Sequence, residues 1–208
     1  YWVVLGGAKV SDKIGVIEKM IDSVDGFIVG GAMAYTFLKA KGVDVGRSLV
    51  EKEKVDFARE LIERVKSRGK KLLLPIDHRI AKSIESQEVM PTPDEKIPEG
   101  FLGVDIGPKT EKLYCAELLS AKTVFWNGPM GVFENPKMSQ GTFAIAKTLG
   151  GLDADTIVGG GDTASAAKAS GFADMMTHIS TGGGASLEYL QGDPLPGIDS
   201  LRKGKRGE

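Results

Sequence analysis

Six short apolar runs in this chain end in glycine-rich sequence, and this repeated pattern constrains the fold more than any other feature. Glycine at the carboxyl end of a strand lets backbone N–H groups approach a ligand that a Cβ atom would keep away. A helix that starts there adds the positive end of its dipole. Six such turns indicate a rim that holds phosphate along one sheet edge. The turns read Leu5-Gly6-Gly7, Val29-Gly30-Gly31, Asp105-Ile106-Gly107-Pro108, Asn127-Gly128-Pro129-Met130-Gly131, Val158-Gly159-Gly160-Gly161-Asp162-Thr163 and Ser180-Thr181-Gly182-Gly183-Gly184.

The sequence between these turns alternates apolar runs of strand length with amphipathic stretches of helix length. Near-continuous apolar strands predict a parallel sheet that is covered on both faces. We therefore predict an α/β fold: a doubly wound, Rossmann-like domain of three layers with a mainly parallel sheet of roughly six strands. Strands are expected at Trp2–Leu5, Gly26–Val29, Lys71–Pro75, Leu102–Asp105, Thr123–Trp126 and Thr156–Val158, with Thr177–Ile179 as a further candidate.

The helices are predicted from their apolar periodicity and their capping residues. Ser11 is expected to N-cap a first helix whose apolar face includes Ile14 and Ile17. The polar, proline-containing stretch Glu85–Glu99 is interpreted as a surface excursion or an edge hairpin. Further helices are expected at Ala32–Ala40, Glu51–Arg68, Lys109–Ser120, Met138–Leu149, Thr163–Ser170 and Gly184–Leu190.

Composition excludes several classes of partner and compartment. The 27 Lys and Arg residues nearly balance 28 Asp and Glu residues, so no overall field favours nucleic acid or a membrane surface. Cys115 is the single cysteine, which excludes an internal disulfide and fits a reducing compartment. No apolar stretch approaches the ~20 residues of a membrane span. We expect a cytoplasmic protein, a monomer, with one domain at residues 1–201 and a flexible basic tail at 202–208.

The segment Leu5–Lys13 places two glycines and two lysines between a predicted strand and a predicted helix. Lys9 and Lys13 are four residues apart, so a helical path would put them on one face. Two ammonium groups at a strand's carboxyl edge suit a polyphosphate or a transferring phosphoryl group. Two solvated lysines in an ordinary turn are the alternative. The chain contains no G-x-x-x-x-G-K-[ST] motif, so kinase chemistry here would need another architecture.

The segment Gly159–Ala164 also fits the loose G-x-G-x-x-[GA] fingerprint of dinucleotide-binding folds. That fingerprint needs an acidic residue about 20 positions further on to hold a ribose, and Thr177–Thr181 contains none. Asp162, at the start of the predicted helix, is placed where a carboxylate can hold Mg²⁺ on nucleotide phosphates. A plain N-cap is the alternative for this residue.

The segment Trp126–Glu134 runs from a buried strand into a stiff turn that carries apolar side chains and a carboxylate. Pro129 and Val132 are candidates for the walls of an adenine pocket, and Glu134 for a ribose acceptor. Together with GGAKVSDK, GGAMAYTFLKA, DIGPKT, VGGGDTA and STGGGASLE, the WNGPMGVFE motif resembles the C-terminal, nucleotide-binding half of the phosphoglycerate kinase family. The motifs occur in the family's order and near its spacing, from Tyr1 to Leu201.

The resemblance implies an activity and a set of functional residues. The activity is reversible phosphoryl transfer between 1,3-bisphosphoglycerate and ADP, giving 3-phosphoglycerate and ATP, with Mg²⁺ as the cofactor. Asp162 is implied to bind that metal. The residues implied to be catalytic are Lys9, Lys13, Gly160 and Gly183. The residues implied to bind ADP or ATP are Gly7, Lys13, Gly30, Gly31, Leu49, Gly103, Val104, Asn127, Pro129, Val132, Glu134, Gly160, Gly161, Asp162 and Thr163.

Two departures from the family pattern bear on function. Ala32 stands where many members have a third glycine, which should leave the pocket intact. The N-terminal half, which in the family holds the phosphoglycerate, is absent, and Tyr1 begins within a predicted strand. We therefore expect a fragment that binds nucleotide with little or no activity alone. A Rossmann-type NAD-binding dehydrogenase domain and a nucleotide-binding interaction module remain the alternatives. His78 and His178 are interpreted as structural.

Overall fold

The strands of the protein form two separate sheets in the computed structural model, which describes residues 1–180, 182, 184–192, 194–196 and 200. The main sheet is parallel, in the order β3-β2-β1-β7-β8-β9, and the small sheet is antiparallel, in the order β5-β4-β6. The strands are β1 Trp2–Leu5, β2 Gly26–Val29, β3 Lys71–Leu73, β4 His78–Ala81, β5 Met90–Pro91, β6 Leu102–Ile106, β7 Thr123–Asn127, β8 Asp155–Gly159 and β9 His178–Ser180.

Helices cover both faces of the main sheet. They are α1 Ile14–Met20, α2 Met33–Ala40, α3 Val55–Ser67, α4 Pro108–Leu118, α5 Gln140–Gly150, α6 Gly161–Ala169 and α7 Ala185–Gln191, and the 3-10 helix Lys52–Lys54 leads into α3. None of the helices in the described part of the chain combines the length and the apolar character needed to cross a bilayer.

The side chains of strand β1 contribute to two hydrophobic cores, one on each face of the main sheet. Its side chains alternate between the faces of the sheet, because successive Cβ atoms of a strand point in opposite directions. Val3 and Leu5 pack in a core with residues of α1, α2 and α3, while Trp2 and Val4 pack in a core with residues of α4 and α5. Every residue of β1 is buried, as a central parallel strand requires. The predicted three-layer, doubly wound fold with a six-stranded parallel sheet is confirmed.

The chain reverses its winding direction between β1 and β7. From β1 the chain continues through α1 on one face of the sheet, and from β7 through α5 on the other. Neighbouring strands whose connections leave on opposite faces open a crevice at their carboxyl ends, where ligands of doubly wound proteins bind. The glycine turns Leu5–Gly7 and Asn127–Gly131 therefore meet at this crevice.

The small sheet corrects one sequence prediction. Leu102–Asp105 was assigned to the main sheet, but β6 pairs with β4 in an antiparallel ladder. The sequence did not predict β4, because His78 and Arg79 interrupt its apolar pattern, although both side chains are buried. The stretch Glu85–Glu99, interpreted as a surface excursion or an edge hairpin, contributes one edge strand, β5, whose partner β4 lies outside the stretch.

The predicted N-cap of the first helix is wrong. Helix α1 begins at Ile14, Lys13 occupies the N-cap position, and no side-chain hydrogen bond caps the helix. The hydroxyl of Ser11 instead donates to Glu51 Oε1 at 2.6 Å. A partner distant in the sequence has thus replaced the local cap. The other predicted elements are present with small shifts at their ends. Gly183 and the tail 202–208 lie outside the described residues.

Candidate functional site

Two adjoining cavities lie along the crevice between β1 and β7. The small cavity has a volume of about 230 Å³ and the large cavity about 450 Å³. Gly7, Ala8, Pro129 and Asp162 line both cavities, so the two spaces adjoin. A single elongated ligand can therefore occupy both.

Three glycine turns form the backbone floor of this site. Gly7 N–H donates to Pro129 O at 2.9 Å, and Gly31 N–H donates to Met130 O at 3.0 Å. Gly31 has φ +63°, and a Cβ atom there would lie 2.5 Å from Gly7 N. Any larger residue at Gly31 would force the turns apart. The positive φ at this position also favours glycine. The glycines thus bring three chain segments into direct backbone contact beneath the cavities.

The small cavity is a narrow, mainly apolar slot. Val132 N–H donates to Val104 O at 2.9 Å, which joins the turn after β7 to β6. A Cβ atom on Gly103 would collide with the hydroxyl of Tyr35, so only glycine leaves the slot open there. The residues that line the small cavity and not the large one are Gly31, Ala32, Tyr35, Gly103, Val104, Met130, Gly131, Val132 and Glu134. A flat heterocycle would fit between such walls, and the exposed Glu134 carboxylate can accept hydrogen bonds there.

A buried carboxylate supports the wall of the small cavity. Asp105 accepts hydrogen bonds from Gly141 N at 2.7 Å and from Ile106 N at 2.9 Å, and Arg79 lies 3.7 Å away. Burial raises the pKa of Asp105 to about 8, and the hydrogen bond from Gly141 and the charge of Arg79 oppose that shift. A Cβ atom on Gly131 would lie 2.5 Å from Asp105 Oδ1. Asp105 therefore fixes the position of the Gly131 backbone from behind.

The large cavity brings together the two lysines predicted from the sequence. Lys9 is exposed, whereas Lys13 is half-buried and its ammonium group donates to Asn127 Oδ1. Burial lowers the pKa of Lys13, while the negative charges of Asp12 and Asp162 oppose the shift. Lys9 and Lys13 both line the cavity, as do Asp12 and Asp162, so the cavity presents two cationic groups to a ligand without a net positive charge.

The N-terminus of α6 forms the opposite wall of the large cavity. Gly160, Gly161, Asp162 and Thr163 all line it. The first amides of an α-helix have no partner within the helix and carry the positive end of its dipole. This wall therefore offers hydrogen-bond donors to an anion.

Two buried side chains hold this wall against β7. Asn127 Nδ2 donates to Gly159 O at 2.6 Å, and Gly128 N–H donates to Thr163 Oγ1 at 2.7 Å. The hydroxyl oxygen of Thr163 thus accepts a hydrogen bond from the protein, while its O–H can still donate. Its backbone amide and its hydroxyl can therefore both donate to a ligand at the helix terminus.

Asp162 is the carboxylate best placed to hold a metal ion. Its side chain is exposed and lines both cavities. Within the described residues, no group of three or more His, Cys, Asp or Glu side chains is arranged to hold a metal. A single carboxylate fits Mg²⁺ in nucleotide sites, because that ion takes its remaining ligands from phosphates and water.

Two predicted site residues do not line either cavity. Gly30 lies below the small cavity, where its N–H donates to Leu5 O at 2.8 Å and a Cβ atom would meet Met130 Sδ. Leu49 is 56% exposed and also lies outside both cavities. In this segment the preceding residue, Ser48, is buried in place of Leu49. Of the remaining predicted residues, Gly183 lies outside the described part of the chain.

The sequence analysis missed several residues that line the cavities, among them Ala8, Tyr35, Met130 and Leu187. Tyr35 had a recognisable signal: it lies in the first turn of α2, directly after the glycine turn at Gly30 and Gly31. Its side chain is buried, and that burial, together with the nearby charge of Asp105, raises its pKa. Met130 had no signal of its own, because its contacts depend on the meeting of the glycine turns.

Comparisons with known proteins agree with this arrangement. The family profile described as Phosphoglycerate kinase matches residues 1–193. The phosphoglycerate kinase of Bdellovibrio bacteriovorus is 61% identical over 97% of the chain, and that of Clostridium perfringens is 57% identical over 95%. These alignments cover 51% and 50% of those proteins, so the chain spans about half the length of the curated relatives it matches.

Solved structures show the same relation. The phosphoglycerate kinase of Coxiella burnetii superposes with a TM-score of 0.89 at 41% identity, over 95% of the chain and 52% of that protein. The enzyme of Pyrococcus horikoshii OT3 superposes with a TM-score of 0.85 at 31% identity, over 97% of the chain and 51% of that protein. The likeness in sequence and in fold thus covers nearly the whole chain.

Proposed function

Because the chain belongs to the phosphoglycerate kinase family, we propose that it binds Mg·ADP or Mg·ATP in the two joined cavities. The nucleotide would be held for reversible phosphoryl transfer between 1,3-bisphosphoglycerate and ADP. The observation that carries the proposal is that a narrow apolar slot adjoins a cavity lined by Lys13, Asp162 and the N-terminus of α6. An apolar slot suits a base, and lysine ammonium groups with free helix amides suit phosphates.

The base and ribose are assigned to the small cavity. Gly31, Gly103, Val104, Pro129 and Val132 would contact the adenine, because these residues leave a flat space between backbone and apolar side chains. Glu134 would accept hydrogen bonds from the ribose hydroxyls. Gly30 would act indirectly, through its packing against Met130 beneath the slot.

The phosphates are assigned to the large cavity. The amides of Gly160, Gly161 and Thr163 would donate to phosphate oxygens, and Asp162 would hold the Mg²⁺ ion. Bound Mg²⁺ would neutralise negative charge that develops on the phosphate oxygens. Lys9 and Lys13 would orient the transferring phosphoryl group and stabilise its charge. Lys13 already contacts Asn127 in the large cavity, which holds the ammonium group in place before a ligand arrives. Positioning and electrostatic stabilisation account for most catalysis in this reaction class.

The second substrate requires a further part of the enzyme. The phosphoglycerate would be bound by the half of the relatives that this chain does not match. We propose that the fragment binds nucleotide as a cytoplasmic monomer and transfers phosphate slowly or not at all by itself. A separately produced N-terminal half, mixed with the chain and 1,3-bisphosphoglycerate, should restore ATP formation from ADP. Association without ATP formation would favour a nucleotide-binding interaction module instead.

Calorimetric titration tests the nucleotide assignment. We expect Mg·ADP to bind and NADH not to bind, because Thr177–Thr181, where the dinucleotide fingerprint needs an acidic ribose partner, contains no Asp or Glu. Binding of NADH without a response to Mg·ADP would favour a dehydrogenase domain and refute the kinase assignment.

The metal assignment has its own test. Asp162→Ala should weaken ADP binding more in Mg²⁺ than in EDTA, whereas Asp174→Ala serves as a control because Asp174 is exposed and lines neither cavity. Equal weakening by Asp162→Ala in both buffers would exclude a metal ligand at this position.

A further inference from the structure

The loop that carries the two lysines is held by a residue that neither the sequence motifs nor the cavity lining identifies. The carboxylate of Glu51 accepts a hydrogen bond from Val10 N, another from Ser11 N at 3.2 Å and a third from Ser11 Oγ at 2.6 Å. Glu51 lies just before the 3-10 helix that leads into α3, 40 positions beyond Ser11. One carboxylate thus satisfies three donors of a distant loop.

The position of these donors links Glu51 to the phosphate end of the site. Val10 and Ser11 lie between Lys9 and Lys13, in the stretch that precedes α1. No side-chain hydrogen bond caps the start of α1, so the helix supplies no such anchor to this stretch. Besides the buried Val10 side chain and the bond from Lys13 N–H to Val10 O, the contacts made by Glu51 help to set the directions in which Lys9 and Lys13 leave the backbone.

Glu51 also belongs to a short segment that contacts the base end of the site. Its own N–H donates to Thr36 Oγ1 at 3.1 Å, on the helix that starts beside the small cavity. Three positions earlier, Ser48 Oγ accepts a hydrogen bond from Gly103 N at 2.9 Å. We call Ser48–Glu51 the strap, because this segment is bonded to a wall of the small cavity and to the lysine loop.

The charge of Glu51 suits this arrangement. Burial would raise the pKa of its carboxyl group, but hydrogen bonds from Ser11 and Val10 and the charge of Lys9 outweigh that effect and lower it. The group is therefore ionised at neutral pH, and charge-assisted hydrogen bonds to backbone amides are shorter and stronger than neutral ones. The carboxylate contacts the loop backbone and leaves the lysine side chains available to a ligand.

We propose that Glu51 is a positioning residue that holds the Lys9–Lys13 loop in the geometry needed to bind nucleotide phosphates. The proposal rests on the nucleotide function proposed above and adds a residue to its phosphate end. Preorganisation of a binding loop improves affinity, because less conformational entropy is lost when the ligand binds. The effect should be confined to ligands that carry phosphates, since adenosine does not reach the lysine loop.

The test compares the affinities of adenosine and Mg·ADP. Glu51→Ala should raise the Kd for Mg·ADP about tenfold, because the loop would no longer be held in place before the nucleotide binds. The Kd for adenosine should not change. Glu51→Gln should lie between Glu51→Ala and the parent, because its amide oxygen can accept from the loop amides and the Ser11 hydroxyl can accept from its amide nitrogen, but without the charge. The matched control is Glu53→Ala, which removes an exposed carboxylate from the 3-10 helix that follows Glu51.

Several results would overturn the proposal. Unchanged Mg·ADP affinity in Glu51→Ala, or an equal loss for adenosine and Mg·ADP, would show that Glu51 has no specific effect on phosphate binding. If Glu51→Ala does not fold, Ser11→Ala removes one of the three hydrogen bonds and should produce a smaller loss in the same direction; no loss there would also refute it.

Hydrogen exchange separates this inference from the function on which it rests. The amides of Val10 and Ser11 should exchange faster in Glu51→Ala than in the parent, without any nucleotide present. If the parent binds neither adenosine nor Mg·ADP, the proposed function fails and the ligand part of this inference fails with it. If the parent binds Mg·ADP but the two amides exchange equally in both proteins, only the role of Glu51 is refuted.

Discussion

Acid should remove the stability that one buried histidine contributes to this protein. The His78 side chain is fully buried, its ring lies 5.5 Å from that of Tyr35, and its Nε2 lies 3.1 Å from Glu95 O. Among the described residues, Nδ1 has no hydrogen-bond partner. A second proton on the ring would therefore place an unpaired charged donor in the interior. Burial lowers the pKa of His78 from 6.5 to about 4.

The magnitude follows from the difference between the two pKa values. The unfolded chain takes up a proton near pH 6.5, whereas the folded chain resists it down to about pH 4. The stability that His78 contributes is therefore complete above pH 6.5 and is lost as the pH falls towards 4. Between pH 7.5 and pH 5 the expected loss in the free energy of unfolding is about 2 kcal/mol, at about 1.4 kcal/mol for each pKa unit of difference.

Urea unfolding at pH 7.5 and pH 5 measures this effect in the parent and in His78→Gln. The prediction concerns the difference between the two proteins, because Asp105 also titrates in this range and is common to both. Between pH 7.5 and pH 5, the change in the free energy of unfolding should be about 2 kcal/mol more favourable in His78→Gln than in the parent. His178→Gln is the matched control, since that side chain is exposed. Equal changes in the parent and in His78→Gln would refute the assignment of His78 as a neutral, buried group.

Three further variants test separate parts of the account. Gly103→Ala should weaken adenosine and ADP binding together in a calorimetric titration, because its Cβ atom would collide with Tyr35, and unchanged affinity would exclude the small cavity as the base site. Tyr114→Phe should lower the free energy of unfolding in urea by about 1–2 kcal/mol, since the buried hydroxyl donates to Val29 O at 2.7 Å; no change would mean that this bond adds no stability. In the parent, the raised pKa of Asp105 should make stability fall as the pH rises from 6 towards 8, and Asp105→Asn should remove that slope.

The main sheet could be predicted because its signals are local. Apolar runs that end in glycine predicted five of the six parallel strands, and Lys71–Leu73 was predicted from its apolar run alone. Leu102–Asp105 also ends in a glycine turn but belongs to the small sheet. Strand β4 escaped prediction because His78 and Arg79 are polar in sequence but buried in the fold. Arg79 donates to Glu111 in another element, and no local pattern reports such a partner.

The site residues also differ in whether a local sequence pattern or a contact distant in the sequence sets their position. Lys13, Gly160 and Asp162 lie in turns whose glycine content marks the carboxyl ends of strands, so their proximity could be predicted. Glu51 could not be identified, because its role depends on a contact that spans 40 positions and on a loop without a regular pattern. Leu49 was assigned by resemblance, yet its neighbour Ser48 makes the inward contact.

A structure of the chain with Mg·ADP is the most direct test of whether the two cavities bind the nucleotide. The account predicts the adenine in the small cavity between Gly103 and Val132, the ribose beside Glu134, and the phosphates at the N-terminus of α6 with Mg²⁺ on Asp162. Lys13 should turn from Asn127 towards the terminal phosphate. A nucleotide bound outside these cavities, or one whose phosphates lie away from α6, would contradict it.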